Sequence, residues 1–223
     1  MTRFPIILSS PSGGGKTSIA RKLLERRAAD VGYSVSCTTR APRPGERNGH
    51  DYYFVTDADF LARRSRGEFA ESAEVHGNLY GTLRSEVRRV LGEGRHVIMD
   101  IDVQGALQFA AAFPESVLIF VLPPSARVLL ERLRARQSES RESLVRRMQS
   151  ALEELQAVDR YRYVIVNEDL ERAVERVSAI IDAESARRER QVEMDEQVTR
   201  LLDELRREIE RTNAQPTPTT PTA

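Results

Sequence analysis

The stretch Phe4-Pro5-Ile6-Ile7-Leu8-Ser9-Ser10-Pro11-Ser12-Gly13-Gly14-Gly15-Lys16-Thr17 decides the fold. Phe4 to Ser9 is an apolar run too short for a helix and bounded by Pro and Gly signals, so it reads as a buried strand. Ser10 to Gly15 reads as a loop, and Lys16 to Arg27 has helical spacing through Ile19, Leu23 and Leu24. Strand, glycine-rich loop ending in Lys-Thr, then helix is the context of a phosphate-binding P-loop. The glycines let backbone N–H groups surround phosphates, and the helix N-terminus adds positive potential. Lys16 is placed to neutralise β and γ oxygens, and Thr17 to hold Mg²⁺. The pattern usually begins with Gly, where Ser10 stands here. Only two lysines occur in the chain, Lys16 and Lys22, and the first has this chemical reason to be one.

Working outward, strands are expected at Tyr33 to Cys37, Tyr52 to Val55, His96 to Ile101, Val117 to Leu122 and Tyr163 to Val166. Strand-like pieces between Phe69 and Leu83 are interrupted by Gly77 and Gly81. Helices are expected around Phe60 behind a Thr56 or Asp57 cap, and over Ser85 to Leu91, Gly105 to Ala112, Ala126 to Arg134, Leu144 to Val158 and Leu170 to Ala186. Strands alternating with helices indicate an α/β fold with a parallel sheet flanked by helices. The region from about Tyr33 to Arg95 breaks that rhythm and reads as an inserted subdomain. Val97-Ile98-Met99-Asp100 reads as an apolar strand delivering a carboxylate near the metal. An Asn-Lys-x-Asp base-reading motif of GTP switches is impossible, because no lysine follows Lys22. Beyond Arg187 the chain is nearly continuous charge, with a helical stripe through Val198, Leu201, Leu202, Leu205 and Ile209.

Composition bounds the function classes. With 40% hydrophobic residues among 223, the chain has enough apolar material for a core. Lys plus Arg and Asp plus Glu both total 34, which argues against a broad nucleic-acid surface. A single cysteine, Cys37, excludes an internal disulfide framework and a cysteine-cluster zinc site. No apolar run approaches the roughly 20 residues that cross a bilayer, and the start has no cleavable leader pattern. The expectation is a soluble, cytoplasmic protein with no nucleic-acid or membrane partner, monomeric or homo-oligomeric.

Five further segments carry a resemblance. Ser34-Val35-Ser36-Cys37-Thr38-Thr39-Arg40-Ala41-Pro42-Arg43-Pro44-Gly45-Glu46 resembles the signature of guanylate kinases. So do Asp51-Tyr52-Tyr53-Phe54, Phe69-Ala70-Glu71, Gly77-Asn78-Leu79-Tyr80-Gly81-Thr82 and Asp100-Ile101-Asp102-Val103-Gln104-Gly105. The resemblance runs in order from about Pro5 to Ala186 and implies phosphoryl transfer from ATP to GMP with Mg²⁺. It also implies a core of 1–32, 96–125 and 159–188, a GMP-binding subdomain at 33–95 and a mobile lid at 126–158. A charged C-terminal helix at 189–211 and a disordered tail at 212–223 complete the expected organisation.

The same resemblance implies residue roles. Ser12, Gly13, Gly14, Gly15, Lys16, Thr17 and, beside the adenine, Asn167 would bind ATP. Arg40, Arg43, Tyr52 and Tyr80 would hold the GMP phosphate, a task that suits planar guanidiniums. Glu71 would accept from guanine N1–H and the 2-amino group, with Ser36, Thr82 and Asp102 around the base edge. Lys16, Arg132, Arg136 and Arg147 would neutralise the transferring phosphoryl group, and Thr17 with Asp100, directly or through water, would serve the metal. A rival from another class is an interaction module that binds phosphorylated peptides through the same arginines. Such modules typically lose the loop lysine or the lid arginines, which this chain retains.

Overall fold

Strand β1, Pro5–Ser9, is buried along its whole length, as an apolar run must be when helices cover both faces of a sheet. In this computed structural model, which describes residues 2–75, 77–134 and 141–214, β1 lies at the centre of a five-stranded sheet. β2 (Val31–Tyr33), β7 (His96–Asp100), β8 (Val117–Leu122) and β9 (Tyr163–Val166) complete it in the order β2-β7-β1-β8-β9, all parallel. Alternate residues feed two cores. Ile6, Leu8, Ile98 and Ile119 pack with Ile19 and Leu23 of α1 (Lys16–Arg26) and Val174, Val177 and Ile181 of α7 (Leu170–Ser185). Ile7, Val97, Met99 and Phe120 face the other way, against Val87 and Val90 of α3 (Arg84–Gly92) and Ala106 and Phe109 of α4 (Val103–Ala112). Because the strands are parallel, the loops after β1, β7 and β9 emerge at one edge, where ligands bind in such sheets.

The expected single strand from Tyr33 to Cys37 is two strands in two sheets. β2 ends at Tyr33, and β3 (Ser36–Thr38) pairs instead with β6 (Asn78–Leu83) and β4 (Tyr53–Phe54). Ser34 and Val35 carry the chain across, a change of partner that an unbroken apolar pattern does not reveal. With β5 (Phe69–Val75) the second sheet has the order β4-β3-β6-β5, and Gly81 lies inside β6 rather than interrupting it. Helix α2 (Asp57–Ser65) begins at the expected cap, where the Thr56 side chain accepts from the Asp59 N–H. α3, expected in the inserted segment, presses its apolar side into the core cluster.

α5 (Ala126–Arg134) and α6 (Arg141–Gln156) pack through Leu129, Leu133, Leu144 and Ala151. The chain divides into two compact units, 3–183 and a second built from its two ends. Within the second, α8 (Met194–Ala214) keeps Val198, Leu201, Leu202, Leu205 and Ile209 exposed. Residues 212–214, expected in the disordered tail, continue that helix, while 215–223 lie outside the described residues. Among the described residues no helix is long and apolar enough to cross a membrane.

The fit of α3 against the sheet predicts the cost of one added carbon. A Cβ on Gly32 of β2 would stand 2.6 Å from Val90 Cγ1 and 3.1 Å from Arg95 Cζ. Gly32→Ala should lower unfolding stability by about 1–3 kcal/mol, as overpacking does, measured by urea denaturation. A midpoint equal to the parent's would mean that α3 is not pressed against β2.

Candidate active site

The phosphate loop follows β1 and turns through positive φ at Gly13 (88°) and Gly15 (98°), values that side chains resist. The Gly14 N–H bonds to the Pro11 carbonyl at 2.8 Å, closing the loop's first turn. Ser10 is accommodated in the place of the usual glycine because its neighbour is one: a Cβ on Gly14 would lie 2.6 Å from Ser10 Cβ. Three elements brace the loop from outside. Asn167, just after β9 and 6% exposed, donates Nδ2–H to the Gly14 carbonyl at 2.9 Å. From α5, Arg132 Nη1 reaches the Gly13 and Gly14 carbonyls at 3.5 and 3.4 Å. From α6, Glu154 accepts the Ser12 N–H at 3.1 Å, and Arg147 donates to Ser12 Oγ and to the Leu133 carbonyl, both at 3.1 Å. Burial pushes the Glu154 carboxyl above its usual range, with Lys16 pulling the other way. A cleft of about 380 Å³ opens beside the loop, lined by Lys16, Thr17, Ser18, Arg132, Asn167 and Leu170.

Asp100 ends β7 at the same edge. Thr17 Oγ1 donates to its Oδ2 at 2.5 Å, and the Tyr33 hydroxyl to its Oδ1 at 2.7 Å. Hard oxygen donors side by side at a phosphate loop suit Mg²⁺, which keeps waters and takes only one or two protein ligands beside phosphate oxygens. Among the described residues no group of three or more His, Cys, Asp or Glu could hold a metal ion.

The second sheet builds a different kind of pocket. Ser36 pairs with Thr82, Thr38 with Tyr80, and Glu71 with Thr82, so strand alternation brings these side chains to one face. Cys37, Phe60, Phe69 and Leu83 fill the other face. Phe69 and Glu71 would share a face in a regular strand, but the register shifts between them. That bulge turns Glu71 toward the polar side, the kind of re-aiming that bulges provide. Thr82 Oγ1 donates to Glu71 Oε1 at 2.7 Å, and Ser36 Oγ lies 3.5 Å from Thr82 Oγ1. On the opposite wall, a Cβ on Gly105 of α4 would come within 2.7 Å of Glu71 Oε2. Asp102 caps α4 through the Gly105 N–H at 2.8 Å. Burial pushes the Glu71 carboxyl up to about 7, the nearby Asp102 charge adds to the rise, and the Thr82 hydrogen bonds oppose it.

Arg40 leaves the end of β3 with its guanidinium over the rings of Tyr52 and Phe54, at 5.5 and 5.8 Å from their centroids. It donates to Glu46 Oε1 at 2.9 Å, and the Arg43 N–H donates to Glu46 Oε2 at 2.7 Å. Tyr52 and Tyr80 meet edge to face, their centroids 6.1 Å apart. Burial raises the Tyr52 hydroxyl to about 12, so it remains a donor at neutral pH.

Two groups of expected site residues therefore converge. Ser12, Gly13, Gly14, Gly15, Lys16, Thr17, Asp100, Arg132, Arg147 and Asn167 lie at or around the loop, and Ser36, Arg40, Tyr52, Glu71, Tyr80, Thr82 and Asp102 lie along the second sheet and its facing helix. Arg43 is exposed on the loop after β3, linked to Arg40 through Glu46. Arg136 falls outside the described residues. Glu46, Gly105, Glu154 and Tyr33 were missed as parts of this arrangement. Glu46 and Gly105 both close signature-like segments read in the sequence, whereas Glu154 and Tyr33 had no local signal.

A glycine-rich loop and carboxylate at the carboxyl edge of a parallel sheet, with a separate polar pocket on a second sheet, have the arrangement of a P-loop phosphotransferase. The guanylate kinase family profile matches residues 2–184. Guanylate kinase of Thermotoga maritima is 48% identical over 181 residues, covering 81% of this chain and 87% of the relative. Guanylate kinase of Paramagnetospirillum magneticum is 48% identical over 197 residues, covering 88% and 92%. The crystal structure of guanylate kinase from Anaplasma phagocytophilum superimposes with a TM-score of 0.72 at 40% identity, covering 87% of this chain and 93% of that one. The chain belongs to the guanylate kinase family.

Burial of Glu71 makes a signed prediction about stability. Its carboxyl titrates near 7 when folded against about 4.5 when unfolded, so the folded state binds the proton more tightly. The resulting stabilisation is complete below pH 4.5 and lost as pH rises through 7. Glu71→Gln, neutral throughout, should therefore gain in Tm relative to the parent between pH 5 and pH 8. A Tm difference independent of pH would contradict the buried, proton-retaining carboxyl.

Proposed function

We propose that the chain transfers the γ-phosphoryl group of ATP to GMP, giving ADP and GDP, with the two polar pockets holding the two nucleotides. Membership in the guanylate kinase family supplies the reaction; the division of labour among residues is our reading. The observation that carries it is the carboxyl of Glu71, acceptor-only once ionised, buried between Thr82 and Gly105 on the sheet that also bears Tyr80 and leads to Arg40. Guanine offers N1–H and a 2-amino donor on one edge, the complement of an ionised carboxylate. Ser36, Thr82 and Asp102 flank that edge. Arg40, Arg43, Tyr52 and Tyr80 take the GMP phosphate, with Arg40 and the Arg43 N–H exchanging Glu46 for a dianion.

On the other side, the N–H groups of Ser12 to Gly15, with Lys16 and Thr17, take the ATP phosphates. Asn167 orders the loop from the adenine side. No covalent nucleophile is needed: a GMP phosphate oxygen attacks the γ-phosphorus in line, and orientation and charge stabilisation lower the barrier. Lys16, Arg132 and Arg147, joined by Arg136, neutralise the transferring group. Thr17 and Asp100 would hold Mg²⁺, which when bound offsets charge on the β and γ oxygens. Segment 33–95 acts as the GMP-binding subdomain and 126–158 as the lid, closing to exclude water from the γ-phosphate.

Base selectivity tests this reading most sharply. Adenine presents a lone pair at N1, which would face the Glu71 carboxylate, and mismatches of this kind discriminate by roughly 10⁴-fold or more. IMP retains N1–H but lacks the 2-amino group, so its kcat/KM should fall between those for GMP and AMP. Glu71→Gln should lower kcat/KM for GMP and narrow its advantage over AMP, measured in an ATP-coupled assay with all three nucleotides. An unchanged GMP:AMP ratio would place the reading of guanine elsewhere.

A further inference from the structure

Tyr33 is the last residue of β2, the point where the chain leaves the core sheet for the second one. It pairs in register with Ile98 of β7, two residues before Asp100, so strand alternation puts it alongside the face that Asp100 uses. Its ring packs partly buried against the cluster of Leu8, Ile19 and Ile98, and its hydroxyl ends on Asp100 Oδ1 at 2.7 Å. The other oxygen, Oδ2, receives Thr17 at 2.5 Å. One carboxylate is thus held at both oxygens, by a phosphate-loop hydroxyl on one side and a phenol anchored in the core on the other.

We propose that Tyr33 is a positioning residue for phosphoryl transfer: its hydroxyl fixes the rotation of the Asp100 carboxylate so that Oδ2 stays turned toward Thr17 and the phosphate loop. This rests on the reading of Thr17 and Asp100 as the Mg²⁺ side of the ATP site. Without the phenol, the carboxylate rotates about its Cβ–Cγ bond, and each excursion takes Oδ2 away from the loop. Outer partners that orient metal-ligating carboxylates commonly change metal affinity or activity by about 10–100-fold when removed. Because Tyr33 also ends the last core strand before the chain crosses to the second sheet, the same contact joins that crossing to the carboxylate.

Tyr33→Phe keeps the ring and removes only the donor. The full-length protein with ADP would be titrated with Mn²⁺, and free Mn²⁺ counted by its paramagnetic resonance signal, for the parent, Tyr33→Phe and Asp100→Asn. The expected result is Mn²⁺ binding weakened about 10-fold in Tyr33→Phe, at the low end of that range, and at least as much in Asp100→Asn. In Tyr33→Phe kcat should fall by a similar factor, with KM for GMP within about twofold, as for an effect confined to the ATP side. Parent-like Mn²⁺ binding in Tyr33→Phe, with or without a lowered Tm, overturns the proposal and leaves Tyr33 a packing residue. If Asp100→Asn alone weakens binding, only the role of Tyr33 fails. If neither variant does, the assignment of Asp100 fails and takes the Tyr33 proposal with it.

Discussion

A loop that must turn its N–H groups inward to phosphates has to turn carbonyls outward, and those carbonyls need partners. Asn167 Nδ2–H to the Gly14 carbonyl is the contact on which this arrangement depends. It joins the end of β9, the last strand of the core sheet, to the turn after the first strand, across 153 residues of chain. The glycines cannot hold this shape alone, since their backbone freedom is what admits the positive φ values at Gly13 and Gly15. Rigidity is supplied by neighbours: Asn167 below, Arg132 alongside, and Glu154 with Arg147 on Ser12. The parallel order β2-β7-β1-β8-β9 matters to function because it delivers the loop, Asp100 and Asn167 to one edge.

The second pocket uses burial where the first uses loop geometry. Glu71 is aimed by a register shift in β5, braced by Thr82 and given room by the missing side chain of Gly105. Taking that carboxyl out of water raises its proton affinity, which costs stability at neutral pH. Arg40 and Glu46 are arranged differently: the guanidinium, partly buried beside an exposed loop, is paired with a carboxylate at 2.9 Å.

Much of this was legible in the sequence, and the boundary has physical causes. The loop, the parallel core and most helix limits follow from local signals: apolar runs, glycine clustering and helical spacing between Pro and Gly breaks. The break between Tyr33 and Ser36 was not legible, because Ser34 and Val35 continue the same strand-like composition while the partner strand changes. Glu154 and Tyr33 escaped for a related reason. Each acts through a residue distant in sequence (Ser12 and Asp100), and nothing in its own neighbourhood marks it. Ser10 departed from the usual loop pattern, and its compensation, the glycine at 14, is visible only where the two come close in space.

The claim that the phosphate loop is held ready by Asn167, rather than merely lying near it, separates cleanly from any contact of Asn167 with the adenine. Tripolyphosphate carries the phosphates without a base, so calorimetric binding of tripolyphosphate to Asn167→Ala reads the loop alone. Loss of a buried hydrogen bond to a loop carbonyl should weaken that binding by about 5- to 100-fold, corresponding to roughly 1–3 kcal/mol for a carbonyl left unpaired. Parent-like affinity for tripolyphosphate in a folded Asn167→Ala protein, with ADP binding alone reduced, would contradict the account and return Asn167 to the base.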